Sequence, residues 1–195
     1  HDRGLTDKTT VTVETLAGIL TLELTVTDGA VSSVTVDMGK PILTPKDIPV
    51  AAEGERFIDM PVEVDGTEYR ITAVSMGNPH AVLFVEDTDS LNLPAIGPKF
   101  EHHPLFPERT NTEFVQVLDR STLKMRVWER GAGETLACGT GACASLTASV
   151  LCGKCDRSAT LKLLGGDLTI RWDEDTGHIF MTGPAEFVFD GEIVL

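Results

Sequence analysis

The residues best suited to chemistry lie in one stretch, Glu129-Arg130-Gly131-Ala132-Gly133-Glu134-Thr135-Leu136-Ala137-Cys138-Gly139-Thr140-Gly141-Ala142-Cys143. A strand-like run, Leu123 to Trp128, leads in. A small-residue helix from about Gly141 to Cys152 leads out and stops at Gly153, a suitable C-terminal cap. Cys138 therefore occupies a glycine-rich turn just ahead of a helix N-terminus. Unpaired N–H groups and the helix dipole there favour thiolate over thiol, and the N–H groups of Gly139, Thr140 and Gly141 offer a seat for a carboxylate. This setting predicts a lowered thiol pKa for Cys138 and a faster reaction with alkylating agents than at Cys143. The competing structural reading is a small buried cysteine in a tight turn. Arg130 can grip a carboxylate through a paired, planar contact, or it forms with Glu129 an ordinary exposed pair at a strand end.

The remaining ligand-like residues do not assemble into a metal site. His102 and His103 are adjacent on a loop and lack the fixed spacing that ligation needs. Cys152-Gly153-Lys154-Cys155 has the spacing of zinc and redox sites, but it ends a helix and no second ligand pair follows. Cys143, Leu146 and Val150 recur at i, i+3 and i+7, which turns Cys143 to the core. Four cysteines crowded between positions 138 and 155 make a poor disulfide framework.

The elements that must position these residues are mostly strands. Alternation and β-branched content predict strands at Thr9 to Leu16, Gly18 to Thr27 and Ala30 to Asp37, with hairpin turns at Ala17-Gly18 and Asp28-Gly29. A proline-bearing stretch from Gly39 to Pro49 suits a crossover. Further strands are expected at Met60 to Val64, Glu68 to Val74, Ala81 to Glu86, Thr112 to Leu118, Leu123 to Trp128, Ala159 to Leu164, Asp167 to Trp172 and His178 to Met181. A last pair, Glu186 to Phe189 and Glu192 to Leu195, flanks Asp190-Gly191, and a short helix falls between Ser90 and His103. Few strands are joined by long helices, which argues for α+β rather than a doubly wound parallel sheet.

The 195 residues hold enough apolar content for one large or two small domains. A net charge of −14 argues against nucleic acid, which needs clustered Lys and Arg. The sequence has no apolar run long enough to span a bilayer as a helix, so no membrane partner is expected.

The same residues carry a resemblance. Glu129 to Thr135 together with Ala137 to Ala142 resembles the second cysteine signature of the diaminopimelate epimerases. Ser75-Met76-Gly77-Asn78-Pro79-His80-Ala81-Val82 is similar to a second block of that family, and Phe106-Pro107-Glu108-Arg109-Thr110-Asn111-Thr112-Glu113-Phe114 to a third, in matching order. The likeness continues to Met181-Thr182-Gly183 and Asp190-Gly191. Members of the family open with a first cysteine in a Cys-Gly-Asn-Gly setting, to which His1-Asp2-Arg3-Gly4-Leu5-Thr6 has no counterpart. The chain is accordingly expected to match the C-terminal two-thirds of such a protein and to be inactive by itself.

The resemblance implies an α+β fold in which a β-barrel-like lobe wraps a central hydrophobic helix. Residues 39–183 would form the complete C-terminal lobe, and residues 1–38 with 184–195 a remnant of the N-terminal lobe. It implies a cofactor-independent epimerase that interconverts LL- and meso-2,6-diaminopimelate with two cysteines as acid and base, for lysine and peptidoglycan precursors. Cys138 would be one of that pair. Glu129 and His80 would assist proton movement at the cysteines. Asn78, Asn111, Glu129, Arg130, Gly139 and Thr140 would bind substrate, with Arg130 at its distal end. No cofactor and no metal are implied. The expected partner is a small amino-acid substrate, the full-length protein a homodimer, and the location the cytoplasm. Two alternatives stay open: a related two-lobed isomerase of the proline racemase or phenazine-synthesis kind, and a non-catalytic substrate-binding or dimerisation module.

Overall fold

The structure is a computed structural model and describes residues 1–15 and 18–193. The chain divides into two compact units, His1–Val36 with Thr182–Leu195, and Asp37–Met181.

The first unit is an antiparallel meander of β1 (Thr10–Thr15), β2 (Gly18–Thr27) and β3 (Ala30–Asp37). Asp28 and Gly29 join β2 to β3 with φ of 52° and 82°. Two positive-φ residues between paired Thr27 and Ala30 make the hairpin turn whose twist matches the strands it joins. The expected turn at Ala17-Gly18 includes residues outside the described ones. Of the expected final strand pair, Glu186 to Phe189 is not a strand, and the second member, Glu192 to Leu195, lies partly outside the described residues. Arg3 instead pairs with Asp190 at 2.6 Å and lies over the Phe187 ring at 4.3 Å. Alternation alone does not make a strand, because its backbone groups need a neighbour to bond. No described residue of this unit is buried, and Leu5, Phe187, Val188, Phe189 and Ile193 are exposed.

The second unit contains β4 (Met60–Val64), β5 (Thr67–Ser75), β6 (Pro79–Phe84), α1 (Leu93–Glu101), β7 (Asn111–Asp119), β8 (Thr122–Glu129), β9 (Gly133–Thr135), α2 (Gly139–Leu151), β10 (Ser158–Leu163), β11 (Gly166–Trp172) and β12 (Ile179–Gly183). Its strand order is β12-β11-β10-β8-β7-β6-β5-β4, with β9 paired to β8. Two neighbouring pairs are parallel, β6 with β7 and β8 with β10. Parallel neighbours cannot be joined by a tight hairpin. The helices exist for that reason: α1 lies in the connection from β6 to β7, and α2 in that from β8 to β10.

Both faces of this sheet are covered. Val74, Val82, Val115, Leu123, Met125 and Val127 pack with α2, whereas Ile71, Ala73, Leu83 and Phe114 join Leu93 and Phe100 of α1 on the other side. Strand alternation delivers the two sets. Strands β5 to β8, β10 and β11 all contact α2. The expected wrap around a central helix is thus present, but among the described residues the sheet stays open. Gly39 to Pro49 folds into this unit, with Ile42 bridging to Ser75 and Ile48 buried.

Helix α2 ends as a glycine cap requires: the Lys154 N–H donates to the Ser149 carbonyl and the Gly153 N–H to Val150, with Gly153 at φ 69°. Helix α1 is fixed by a close approach. A Cβ on Gly97 would lie 2.3 Å from the Trp128 ring, and Trp128 cannot swing aside without breaking its 2.8 Å N–H bond to Glu101. Replacing Gly97 by Ala should therefore destabilise the unit by about 1–3 kcal/mol, the usual penalty of overpacking. Urea unfolding followed by tryptophan fluorescence measures it, and an unchanged midpoint would contradict the packing described.

Candidate active site

The start of β6, the start of β7 and the end of β8 lie side by side, because His80 pairs with Asn111 and Thr112 with Trp128. Asn111, 4% exposed, staples them. Its Nδ2 donates to the Pro79 carbonyl and its Oδ1 accepts from the Arg130 N–H, both at 2.9 Å. Arg130 is exposed and donates from Nη1 to the Glu108 carbonyl at 3.1 Å, which leaves most of its guanidinium N–H groups available. Glu101 braces the loop beyond it, accepting from Trp128 Nε1 at 2.8 Å and from the Gly131 N–H at 2.9 Å. Desolvation raises the Glu101 carboxyl, but those donations and the nearby His102 and Arg109 outweigh it and hold it below its ordinary value.

Cys138 is the N-cap of α2, and its sulfur accepts from the Gly141 N–H at 3.3 Å. The helix begins at Gly139 rather than Gly141, so Gly139 and Thr140 form its first positions. Gly141 is removed from the expected carboxylate seat, since its N–H points at the thiol. A chain of side chains reaches the same sulfur. His80 Nε2 is 3.0 Å from Asn78 Oδ1, Asn78 Nδ2 donates to the Thr140 hydroxyl at 3.3 Å, and that hydroxyl is 3.5 Å from Cys138 Sγ. Glu129 accepts from the Thr135 hydroxyl. Its carboxylate raises the pKa of Cys138 and of Glu113, so it acts electrostatically on both.

The sequence model of diaminopimelate epimerase matches residues 72–188. A protein of Acetivibrio thermocellus named diaminopimelate epimerase is 64% identical over 194 residues, covering 100% of this chain and 69% of that protein. This chain belongs to the diaminopimelate epimerase family. A Methanococcus maripaludis protein of the same name is 58% identical, with 99% of this chain and 70% of that protein covered. Two solved structures share the fold. One is a hydroxyproline epimerase from Agrobacterium vitis with trans-4-hydroxy-L-proline bound (TM-score 0.66, 17% identity, 94% of this chain and 59% of that one). The other is a phenazine biosynthesis protein of Bacillus anthracis (TM-score 0.61, 19% identity, 100% and 72%).

As an isomerase of this family, the chain shows one departure from expectation and one unforeseen residue. The Cys138 thiol is not lowered. Burial, followed by the Glu113 carboxylate, pushes it up to about 11, against the donations of Thr140 and Gly141. A rise from 9.0 to about 11 is worth about 3 kcal/mol at 1.36 kcal/mol per pH unit, whereas a helix terminus supplies about 0.3–2 kcal/mol. Burial wins. The unforeseen residue is Glu113, fully buried, with Oε1 2.6 Å from His80 Nδ1. Its signal was present in the sequence: Glu113, Val115 and Val117 share one face of β7, the face that packs with α2.

Alkylation of Cys138 should therefore keep rising, about tenfold per pH unit, until the pH nears 11. Cys143, wholly buried and raised further, should stay slower throughout. Site-resolved mass spectrometry across the alkaline range measures both rates; a Cys138 plateau near neutral pH would restore the lowered-pKa expectation.

Proposed function

We propose that this chain carries one half of the catalytic apparatus for interconverting LL- and meso-2,6-diaminopimelate, with Cys138 as the acid/base on one face of the substrate's Cα. The observation that carries this reading is the meeting of a helix-capping thiol, a carboxylate-gripping arginine and a directed polar chain at one end of the sheet. Inversion at Cα removes a weakly acidic proton from one face and returns one to the other. The site therefore needs one thiolate and one thiol at any moment. Cys138, pushed up to about 11, rests as the thiol and donates. When it is the base, donations from Thr140 and Gly141 stabilise the thiolate.

The substrate's near carboxylate is bound by the N–H groups of Gly139 and Thr140, unpaired within the helix by their position in its first turn. Enolate character that develops there during proton removal is stabilised by the same groups. Arg130 binds the distal carboxylate through its free N–H groups. Asn78 orients Thr140, and Asn111 acts by holding Arg130 and Pro79 in place. Glu129 and the His80 chain govern proton affinity at Cys138. With the thiol pair transferring the protons, the N–H groups at the near carboxylate, rather than an electron-sink cofactor, stabilise the electron pair left at Cα.

The opposite-face acid is not one of this chain's other cysteines. Cys143 and Cys155 are buried in the core beside α2, and Cys152 is held near Thr72 at the far end of that helix. The 195-residue chain by itself should consequently epimerise negligibly while exchanging the Cα proton slowly with retained configuration.

Changing Cys138 to Ser in the protein as encoded should lower epimerisation about 10²–10⁴-fold, the span of a general acid/base contribution. Deuterium incorporation at Cα of LL-diaminopimelate, read by mass spectrometry and chiral chromatography, gives both rates. Parent-level epimerisation in the variant, from both the LL and the meso substrate, would remove Cys138 from the mechanism.

A further inference from the structure

Glu113 has no place in the mechanism as stated, yet it is the most deeply buried acid beside the reactive thiol. Its Oε1 meets His80 Nδ1 at 2.6 Å with both side chains fully buried. Its Oε2 has no hydrogen-bond partner among the described residues. A Cβ on Gly141 would stand 2.7 Å from Oε1 and 3.2 Å from the Cys138 sulfur, so the bare backbone of α2 is what admits both groups. Ionised, Glu113 would leave a bare anionic oxygen out of water, a penalty of several kcal/mol. It would also add a second negative charge, beside Glu129, next to the thiol.

The contact on the far side of His80 places one proton, and the unpartnered Glu113 Oε2 bears on the other. Nε2 faces the Asn78 carbonyl oxygen, a pure acceptor, so Nε2 must carry hydrogen. A neutral imidazole then presents Nδ1 as an acceptor, and the group facing it is Glu113 Oε1. A hydroxyl on Oε2 would have nothing to bond, whereas one on Oε1 has Nδ1. From there every bond points the same way. Glu113 donates to His80, His80 to Asn78, Asn78 to Thr140 and Thr140 to Cys138.

We propose that Glu113 is a positioning residue of this site: a buried, neutral carboxylic acid whose O–H fixes the Nε2–H tautomer of His80 and so polarises the chain of donors that ends on the Cys138 sulfur. The proposal rests on the reading of Cys138 as acid/base. Burial also pushes the Glu113 carboxyl up, against the pull of His80. The ionisable groups facing it are His80 on β6, Glu129 on β8 and Cys138 ahead of α2. A chain of like-directed donors strengthens each member, and its effect is felt at the sulfur as support for thiolate without a second negative charge beside that of Glu129.

The test compares Glu113→Gln with Glu113→Leu in the protein as encoded. Gln retains an N–H donor for Nδ1, and Leu retains only bulk. Nitrogen-15 NMR at neutral pH should show neutral His80 protonated on Nε2 in the parent and in the Gln variant. Infrared spectra should show a protonated-acid carbonyl band in the parent that the Gln variant lacks. The Leu variant should lose the single tautomer and about 10–100-fold in kcat with little change in KM, as expected from misplacing a reacting group, and Gln should recover most of that loss. A parent imidazolium, an Nδ1–H tautomer, or a Gln variant as damaged as Leu would each overturn the proposal. If the Leu variant does not fold, the tautomer in the parent and Gln proteins decides. Failure of the Cys138 assignment shows separately, as retained epimerisation in Cys138→Ser with the His80 tautomer unchanged.

Discussion

Nine successive residues of α2, Gly141 to Ser149, are buried, so this helix has no solvent face. Strands wrap it on all the sides they reach, which limits its side chains to those small enough for close strand approach. Ala142, Ala144 and Ala148 fill that role, with Leu146 the single large member of the run. The hydroxyls in the run are satisfied without leaving the core: Thr147 donates to the Cys143 carbonyl at 2.8 Å, Ser149 to Ser145 at 2.7 Å, and Ser145 to the Met125 sulfur at 3.1 Å. Short hydroxyl side chains permit this back-bonding within a helix. The beginning of this helix is only partly covered at Gly139 and Thr140, and its first N–H groups lack partners within the helix. The thiol of Cys138 meets one of them. The chemistry of the site thus follows from a packing constraint on the helix behind it.

The same burial decides the electrostatics. The ionisable neighbours of Cys138 are acids, Glu113 on β7, wholly buried, and Glu129 on β8. Arginines in this region are occupied elsewhere: Arg126 pairs with Glu134 at 2.8 Å and donates to the Thr88 and Leu91 carbonyls, fixing β9 and the approach to α1. Arg130 alone among the expected binding residues stands exposed with donors to spare. Under the proposed function, the substrate brings its own positive charge towards the thiol and its negative charge towards the helix terminus and Arg130. An amino acid with a second carboxylate has that distribution.

Much of this was legible in the sequence, for identifiable reasons. Strands with one clear alternation, such as Met60 to Val64, fell where expected, and the Cys143-Leu146-Val150 spacing placed Cys143 in the core. The three-residue strand Gly133–Thr135 was missed because it begins on a glycine, follows Gly131 by two residues and is too short to show a period. The strand expected at Glu186 to Phe189 was over-read, since alternation there carries no information about a bonding neighbour. The thiol was misjudged for a different reason. Motif spacing reports the helix terminus behind Cys138, but not how deeply the terminus is buried or which acid lies across from it.

Glu113 marks the boundary between what one-dimensional pattern and three-dimensional contact can say. Its position on the apolar face of β7 is visible in the order Glu113-Phe114-Val115-Gln116-Val117, and an acid on such a face demands an explanation. The explanation is spread over three other segments: His80 on β6, Gly141 in the first turn of α2, and Glu129 on β8. Those segments are brought together by parallel pairing of β6 with β7, which in turn exists only because α1 carries the chain back to the same end of the sheet. A crossover helix far from the thiol is therefore a condition for the proton placement at the thiol, because the register it permits sets His80 opposite Asn111 and within reach of Glu113. Loss of that register by one residue would turn His80 and Glu113 to opposite faces of the sheet, and the chain of donors would end before it reached the sulfur.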